Sequence, residues 1–174
     1  LLHAWDNGVT HFDIANNYGP APGTAEINFG RILREDLASH RDEMIISSKA
    51  GYWGWDGPYG NGGSRKYMIA SCDQSLKRTG LEYFDIFYSH RYDPQTPIEE
   101  TMQALVDIVR AGKALYVGIS NYPADKQQEC YDYLKAAHVP CVIGQYKASI
   151  AFPQTLEANL PVANANGSGF ICYS

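Results

Sequence analysis

The chain predicts an α/β fold in which parallel strands alternate with helices and curl into a barrel. Strand-like and helix-like patterns alternate along all 174 residues, and strand starts recur about every 25–40 residues, the size of one βα unit. Most strands are continuous apolar runs, as a parallel sheet buried on both faces requires. Polar residues close successive strands, where a barrel gathers its functional side chains. An open doubly wound sheet would usually place a phosphate loop after its first strand. Here that loop is Asn16-Asn17-Tyr18-Gly19-Pro20, with no G-x-G-x-x-G.

Leu1 to Gly8 reads as the tail of a helix closed by glycine, and the missing methionine predicts a chain truncated at its N-terminus. The first strand is Thr10–Asp13. A helix over Thr24–His40 carries the stripe Ile27, Ile32, Leu33 and Leu37. Met44–Lys49 is the second strand. A glycine-rich loop, Gly57 to Gly63, then leads to a helix over Ser64–Thr79 with Gly80 at C′. The loop fits neither a dinucleotide motif, since Arg65 replaces the last glycine, nor a P-loop. It reads as a barrel-top loop or, with Trp53, Trp55 and Tyr59, as a substrate lid.

Phe84–His90 is the third strand. Thr96-Pro97-Ile98-Glu99 predicts a capping box with Thr96 as N-cap, and that helix ends at Gly112. Ala114–Ser120, a helix from Pro123 to His138, and the strands Pro140–Gln145 and Gly169–Ser174 complete six units. Helical patterning is weak over 154–166.

The composition is 45% hydrophobic and 19% charged, enough for one core in a single domain over residues 1–174. The net charge of −5 argues against nucleic-acid binding. No apolar run approaches the roughly 20 residues of a membrane helix, and no signal-peptide pattern is present. Cys72, Cys130, Cys141 and Cys172 form no C-x-x-C pair and read as buried free thiols of a reducing, cytoplasmic setting. The five histidines lack metal-site spacing.

Asp13, Tyr18, Lys49 and His90 fall at or just after strand ends. A carboxylate, a phenol, an ammonium and an imidazole gathered over a barrel mouth make a proton-donating site. An unperturbed phenol titrates near ~10, and a neighbouring cation is expected to lower that value. Lys49 is the candidate for that cation, Asp13 would hold it charged and in place, and the His90 imidazole would share in proton transfer.

The segments Phe12 to Gly19, Ser48 to Gly51, Gly57 to Tyr67, Asp73 to Arg78, Tyr88 to Arg91 and Tyr116 to Asn121 resemble the aldo-keto reductases, in particular the bacterial L-glyceraldehyde 3-phosphate reductase group and its relatives, the potassium-channel β subunits. The resemblance implies a (β/α)8 TIM barrel, about six of whose eight units lie in this chain, and NADP(H) bound without a Rossmann domain. It implies Asp13, Tyr18, Lys49 and His90 as the catalytic tetrad. Asp13, Ser120, Asn121 and Gln145 would hold the cofactor's nicotinamide end, Tyr173 would stack on the ring, and Ser174 would open the pyrophosphate loop. Tyr18, Trp53, Trp55, His90 and Arg91 would line the substrate site.

The implied activity is reduction of small carbonyl compounds such as glyceraldehyde 3-phosphate or methylglyoxal, and the resemblance allows a homo-oligomer. Two rivals stand beside it. One is a non-catalytic NADPH-binding subunit of the channel-β type, which would usually carry Asn in place of His90 and Arg in place of Asn121. The other is an inactive fragment, because the family's first and eighth strands would lie outside residues 1–174. The family also usually has His or a similar residue at the position of Gly144.

Overall fold

The computed structural model describes residues 1–173. Among these, six strands form one wholly parallel sheet in sequential order: β1 (His11–Asp13), β2 (Ile45–Ala50), β3 (Phe84–Ser89), β4 (Ala114–Ser120), β5 (Cys141–Lys147) and β6 (Gly169–Tyr173). After α1 (Leu2–Asp6), the helices α2 (Thr24–Ile32), α3 (Arg65–Thr79), α4 (Ile98–Arg110), α5 (Ala124–Ala136) and α6 (Gln154–Ala165) alternate with the strands. The result is a half-barrel whose outermost strands are β1 and β6. No described helix is long and apolar enough to cross a membrane.

The main core lies between the sheet and its helices, with Ile46, Phe84, Met68, Met102, Leu105 and Leu134 fully buried. The helix stops follow chain chemistry. Gly80 ends α3 in the left-handed region at φ 72°, which costs glycine nothing because it has no Cβ. At Gly30 the reason for glycine is space, since a Cβ there would lie 2.2 Å from the Thr79 carbonyl oxygen. This close approach lets α2 pack on α3. A buried ion pair locks the same junction. Glu26 accepts from Arg78 Nε at 2.6 Å and from Ser48 Oγ at 2.6 Å, tying both helices to the strand residue beside Lys49.

Several expectations need correcting. The helix after Thr24 stops being α-helical at Ile32. A wide π turn (Leu33–Leu37) and a 3-10 segment (Ala38–Glu43) follow, keeping Leu33 and Leu37 buried while Ile27 is exposed. The capping box does not form. Pro97 occupies the N-cap with no side-chain bond, because the Thr96 hydroxyl donates to Asp93 at 2.8 Å instead. Residues 154–165 are helical despite Pro161 within them. Strand β5 runs two residues beyond Gln145. Cys72, Cys130 and Cys141 are buried free thiols, but Cys172 is exposed on the outermost strand β6.

Candidate active site

The parallel register builds the site. Asp13 lies opposite Ser47, and side chains two apart on a strand share a face. Ser47 and Lys49 therefore both reach Asp13: Ser47 Oγ donates to Oδ1 at 2.5 Å, and Lys49 Nζ donates to Oδ2 at 2.5 Å. Gln145, four strands away on β5, donates Nε2 to Oδ2 at 2.9 Å. Lys49 is fully buried. Its ammonium also donates to the Ile14 carbonyl at 3.0 Å and stands 3.5 Å from the Tyr18 hydroxyl.

The loop carrying Tyr18 is fixed by continued ladder bonds, Ile14 N to Ser47 O and Asn16 N to Lys49 O, and by Asn16 Nδ2 donating to Tyr67 at 2.9 Å. Tyr18 is 36% exposed, so its phenol is open to a ligand. His90 follows β3, with its amide bound to Ala50 O at 2.9 Å. Its ring meets Tyr18 edge-to-face at 5.7 Å and Tyr52 at 4.8 Å. The buried Nδ1 of His90 has no partner among the described residues.

The protonation states follow from burial and charge. Burial pushes the Asp13 carboxyl up, but the Lys49 ammonium and the bonds from Gln145, Lys49 and Ser47 outweigh it and hold the group below its ordinary value. Burial lowers the Lys49 amine, and Asp13 opposes that shift only in part. With Asp13 ionised and Ile14 O accepting as well, the pair is a carboxylate and an ammonium. Tyr18 overturns the expected direction. Burial first, and then the charge of Asp13, push its phenol up to about 12. Lys49 spends its charge on Asp13 rather than on the phenol. His90 is pushed down to about 3 by burial and then by Lys49, so its imidazole is neutral at neutral pH. It can donate a hydrogen bond there but cannot serve as a charged acid.

A second polar group adjoins this one. Asn121 adopts φ 58°, a left-handed conformation that Asn tolerates better than most residues. Its amide donates to the His90 carbonyl and to Ser120 Oγ, both at 3.1 Å, and its Oδ1 accepts from the Tyr173 hydroxyl at 2.6 Å. The Ser120 hydroxyl proton and Gln145 Oε1 have no partner among the described residues. Together they offer the one donor and one acceptor that a primary carboxamide needs, so this set fits a nicotinamide.

The structure brings Asp13, Tyr18, Lys49, His90 and Gln145 together, and Ser120, Asn121 and Tyr173 beside them. Trp53 is exposed, whereas Trp55 packs on Tyr67 at 4.9 Å and belongs to the core periphery. Ser174 lies outside the described residues. Sequence reasoning missed Ser47, which its two-residue spacing from Lys49 could have revealed. It also missed Tyr52, whose position in an irregular loop gave no signal.

An open parallel α/β barrel sheet with a buried carboxylate–ammonium pair aimed at a phenol defines a class of proton-handling site at a barrel mouth. The Aldo/keto reductase family model matches residues 1–174, and the chain belongs to that family. It is 63% identical over 145 residues to the L-glyceraldehyde 3-phosphate reductase of Escherichia coli (strain K12), covering 83% of this chain and 42% of that protein. A probable voltage-gated potassium channel subunit beta of Arabidopsis thaliana is 40% identical over 126 residues, 72% of this chain and 37% of that protein. A similarly named protein of Oryza sativa subsp. japonica is 33% identical over 171 residues, 97% of this chain and 51% of that one. The chain thus spans about half or less of the length of these relatives.

Proposed function

We propose that the protein carrying this chain reduces aldehydes and ketones with NADP(H), and that Tyr18 is the general acid. The observation that carries this reading is the bonded series Gln145–Asp13–Lys49–Tyr18, with the neutral His90 beside the phenol. A bound nicotinamide cofactor supplies the hydride, and Asp13, Ser120, Asn121, Gln145 and Tyr173 are the residues to hold it.

The chain supplies the proton. A phenol at about 12 stays protonated at neutral pH and gives up its proton only to a strong base, such as an alkoxide forming on the carbonyl carbon. As that proton leaves, the Lys49 ammonium 3.5 Å away stabilises the phenolate. His90 donates a hydrogen bond to the carbonyl oxygen and orients it without losing its own proton.

Glyceraldehyde 3-phosphate is the substrate we favour, on the strength of the similarity to proteins named L-glyceraldehyde 3-phosphate reductase, and methylglyoxal is a second small carbonyl compound to assay. The four free cysteines among the described residues support a reducing, cytoplasmic setting. The rival reading is a regulatory subunit, since two relatives are named as channel subunits. Turnover of the unmutated full-length protein separates the two, and Tyr18→Phe tests the acid. In that variant turnover should fall by roughly 10²–10⁴, while NADPH affinity stays within a few-fold. Near-normal turnover would eliminate Tyr18 as the acid, and absence of turnover in the unmutated protein would favour the subunit.

A further inference from the structure

We infer that Arg91 forms an oxyanion subsite at the mouth, selecting short aldehydes that carry a phosphate or carboxylate at the end remote from the carbonyl; this rests on the reductase reading above. Arg91 directly follows His90, and its guanidinium is held in place. Nε donates to Gly51 O at 2.8 Å, Nη2 to Asn61 Oδ1 at 3.1 Å and Nη1 to Tyr92 O at 3.5 Å. Its carbon sits 5.3 Å from the centroid of the Tyr52 ring, and Tyr52 in turn packs on His90. Gly51 permits this arrangement, since a Cβ there would meet both Arg91 N and His90 Cβ at 3.1 Å.

The charge is not neutralised by direct pairing. Among the described residues Arg91 makes no ion pair. The Asp93 carboxylate feels it, but its oxygens are committed to Gly63 N, Gln95 N and the Thr96 hydroxyl. The two cations that open α3 after the glycine-rich loop are engaged elsewhere, Arg65 with Asp107 and Lys66 over the Tyr59 ring. The Asp13–Lys49 pair cancels its own charge, and His90 is neutral. Arg91 is therefore the cation left to face the far end of a substrate whose carbonyl lies against Tyr18 and His90. Each Nη carries a second N–H, which suits an oxyanion's paired acceptors.

The test compares kcat/KM of the full-length protein for glyceraldehyde 3-phosphate, for succinic semialdehyde and for uncharged propionaldehyde, in wild type, Arg91→Gln and Arg91→Lys. In Arg91→Gln, the preference for at least one anionic aldehyde over propionaldehyde should fall by about tenfold or more, the worth of a hydrogen bond to a charged group. Which of the two anionic substrates loses most tells phosphate from carboxylate. Arg91→Lys should fall between wild type and Arg91→Gln, because it keeps charge without the planar fork.

An equal loss on all three substrates, or no loss, would overturn the subsite. Binding of glycerol 3-phosphate and of succinate, followed by tryptophan fluorescence without turnover, keeps the two readings distinguishable. If the wild type reduces nothing yet binds either anion in an Arg91-dependent way, the subsite stands and the reductase reading falls. If it binds neither anion and shows no anion preference in turnover, the subsite falls.

Discussion

Replacing Asp13 with Asn isolates the charge of the Lys49 ammonium with little change of shape. The Lys49 side chain is 0% exposed and that of Asp13 is 27% exposed, so the variant leaves a buried cation with only neutral acceptors, the Ile14 carbonyl, the Tyr18 hydroxyl and the new amide. Breaking a buried pair from one side costs about 3–5 kcal/mol. The partial exposure of Asp13 lets solvent screen the loss, so about 3 kcal/mol is expected. Equilibrium urea unfolding of the full-length protein at neutral pH measures it.

The pH dependence identifies the cause. Without its partner, the Lys49 amine has a folded pKa depressed further below the unfolded value. Its penalty is therefore present below the unfolded pKa and shrinks as the solution approaches that alkaline value. Adding Lys49→Met should recover much of the loss, because no orphan charge remains. A cost below about 1 kcal/mol, or a cost that neither shrinks at high pH nor is relieved by Lys49→Met, would refute the pairing argument.

Three further outcomes follow from the same geometry. Carbonyl reduction should lose rate on the alkaline side when the Lys49 ammonium, lowered by burial, gives up its proton, and not when the phenol does at about 12; tyrosine absorbance showing Tyr18 ionising in step with the fall in rate would contradict a protonated Tyr18 as donor. His90, with a folded pKa of about 3 against roughly 6.5 unfolded, contributes stability that is full above the unfolded value and lost as pH falls toward the folded one; the loss is about 2.5 kcal/mol by pH 4.5, and His90→Gln should flatten that slope in urea titrations. Gly30→Ala forces a Cβ to within 2.2 Å of the Thr79 carbonyl oxygen, so α2 must separate from α3, at a cost of about 1–3 kcal/mol read by thermal or urea unfolding; an unchanged midpoint would show that the close packing is dispensable.

Element order was legible because buried parallel strands and amphipathic helices leave periodic, local traces. The positions of Asp13, Lys49 and His90 were legible for the same reason, since a strand end is a local event. What failed was what depends on competition in three dimensions. Thr96 had the sequence of an N-cap, but Asp93 took its hydroxyl. The helix after Thr24 changes pitch so that Leu37 reaches the core, and no propensity announces that. Cys172 looked like a core residue because the pattern of β6 is apolar, yet its burial depends on what packs over an outermost strand.

The direction of the Tyr18 shift is the most instructive miss, because it alters the chemistry. Adjacency of a lysine suggested an acidified phenol, but adjacency does not say where a charge is spent. Asp13 binds the ammonium at 2.5 Å, the phenol stands 3.5 Å away, and the carboxylate itself raises the phenol. Coulomb energy falls with distance, so the lysine serves the carboxylate first. Before reaction the pair acts on Tyr18 nearly as a dipole, and burial decides the resting pKa. The benefit of Lys49 arises only when negative charge develops on the phenol oxygen, which makes it a device for the transition state rather than for the ground state. On this reading Lys49→Met should reduce turnover strongly while leaving Tyr18 protonated at neutral pH, as in the unmutated protein. Tyrosine absorbance titration, compared with Tyr18→Phe to assign the signal, would show a phenolate at neutral pH in the unmutated protein if the reading were wrong.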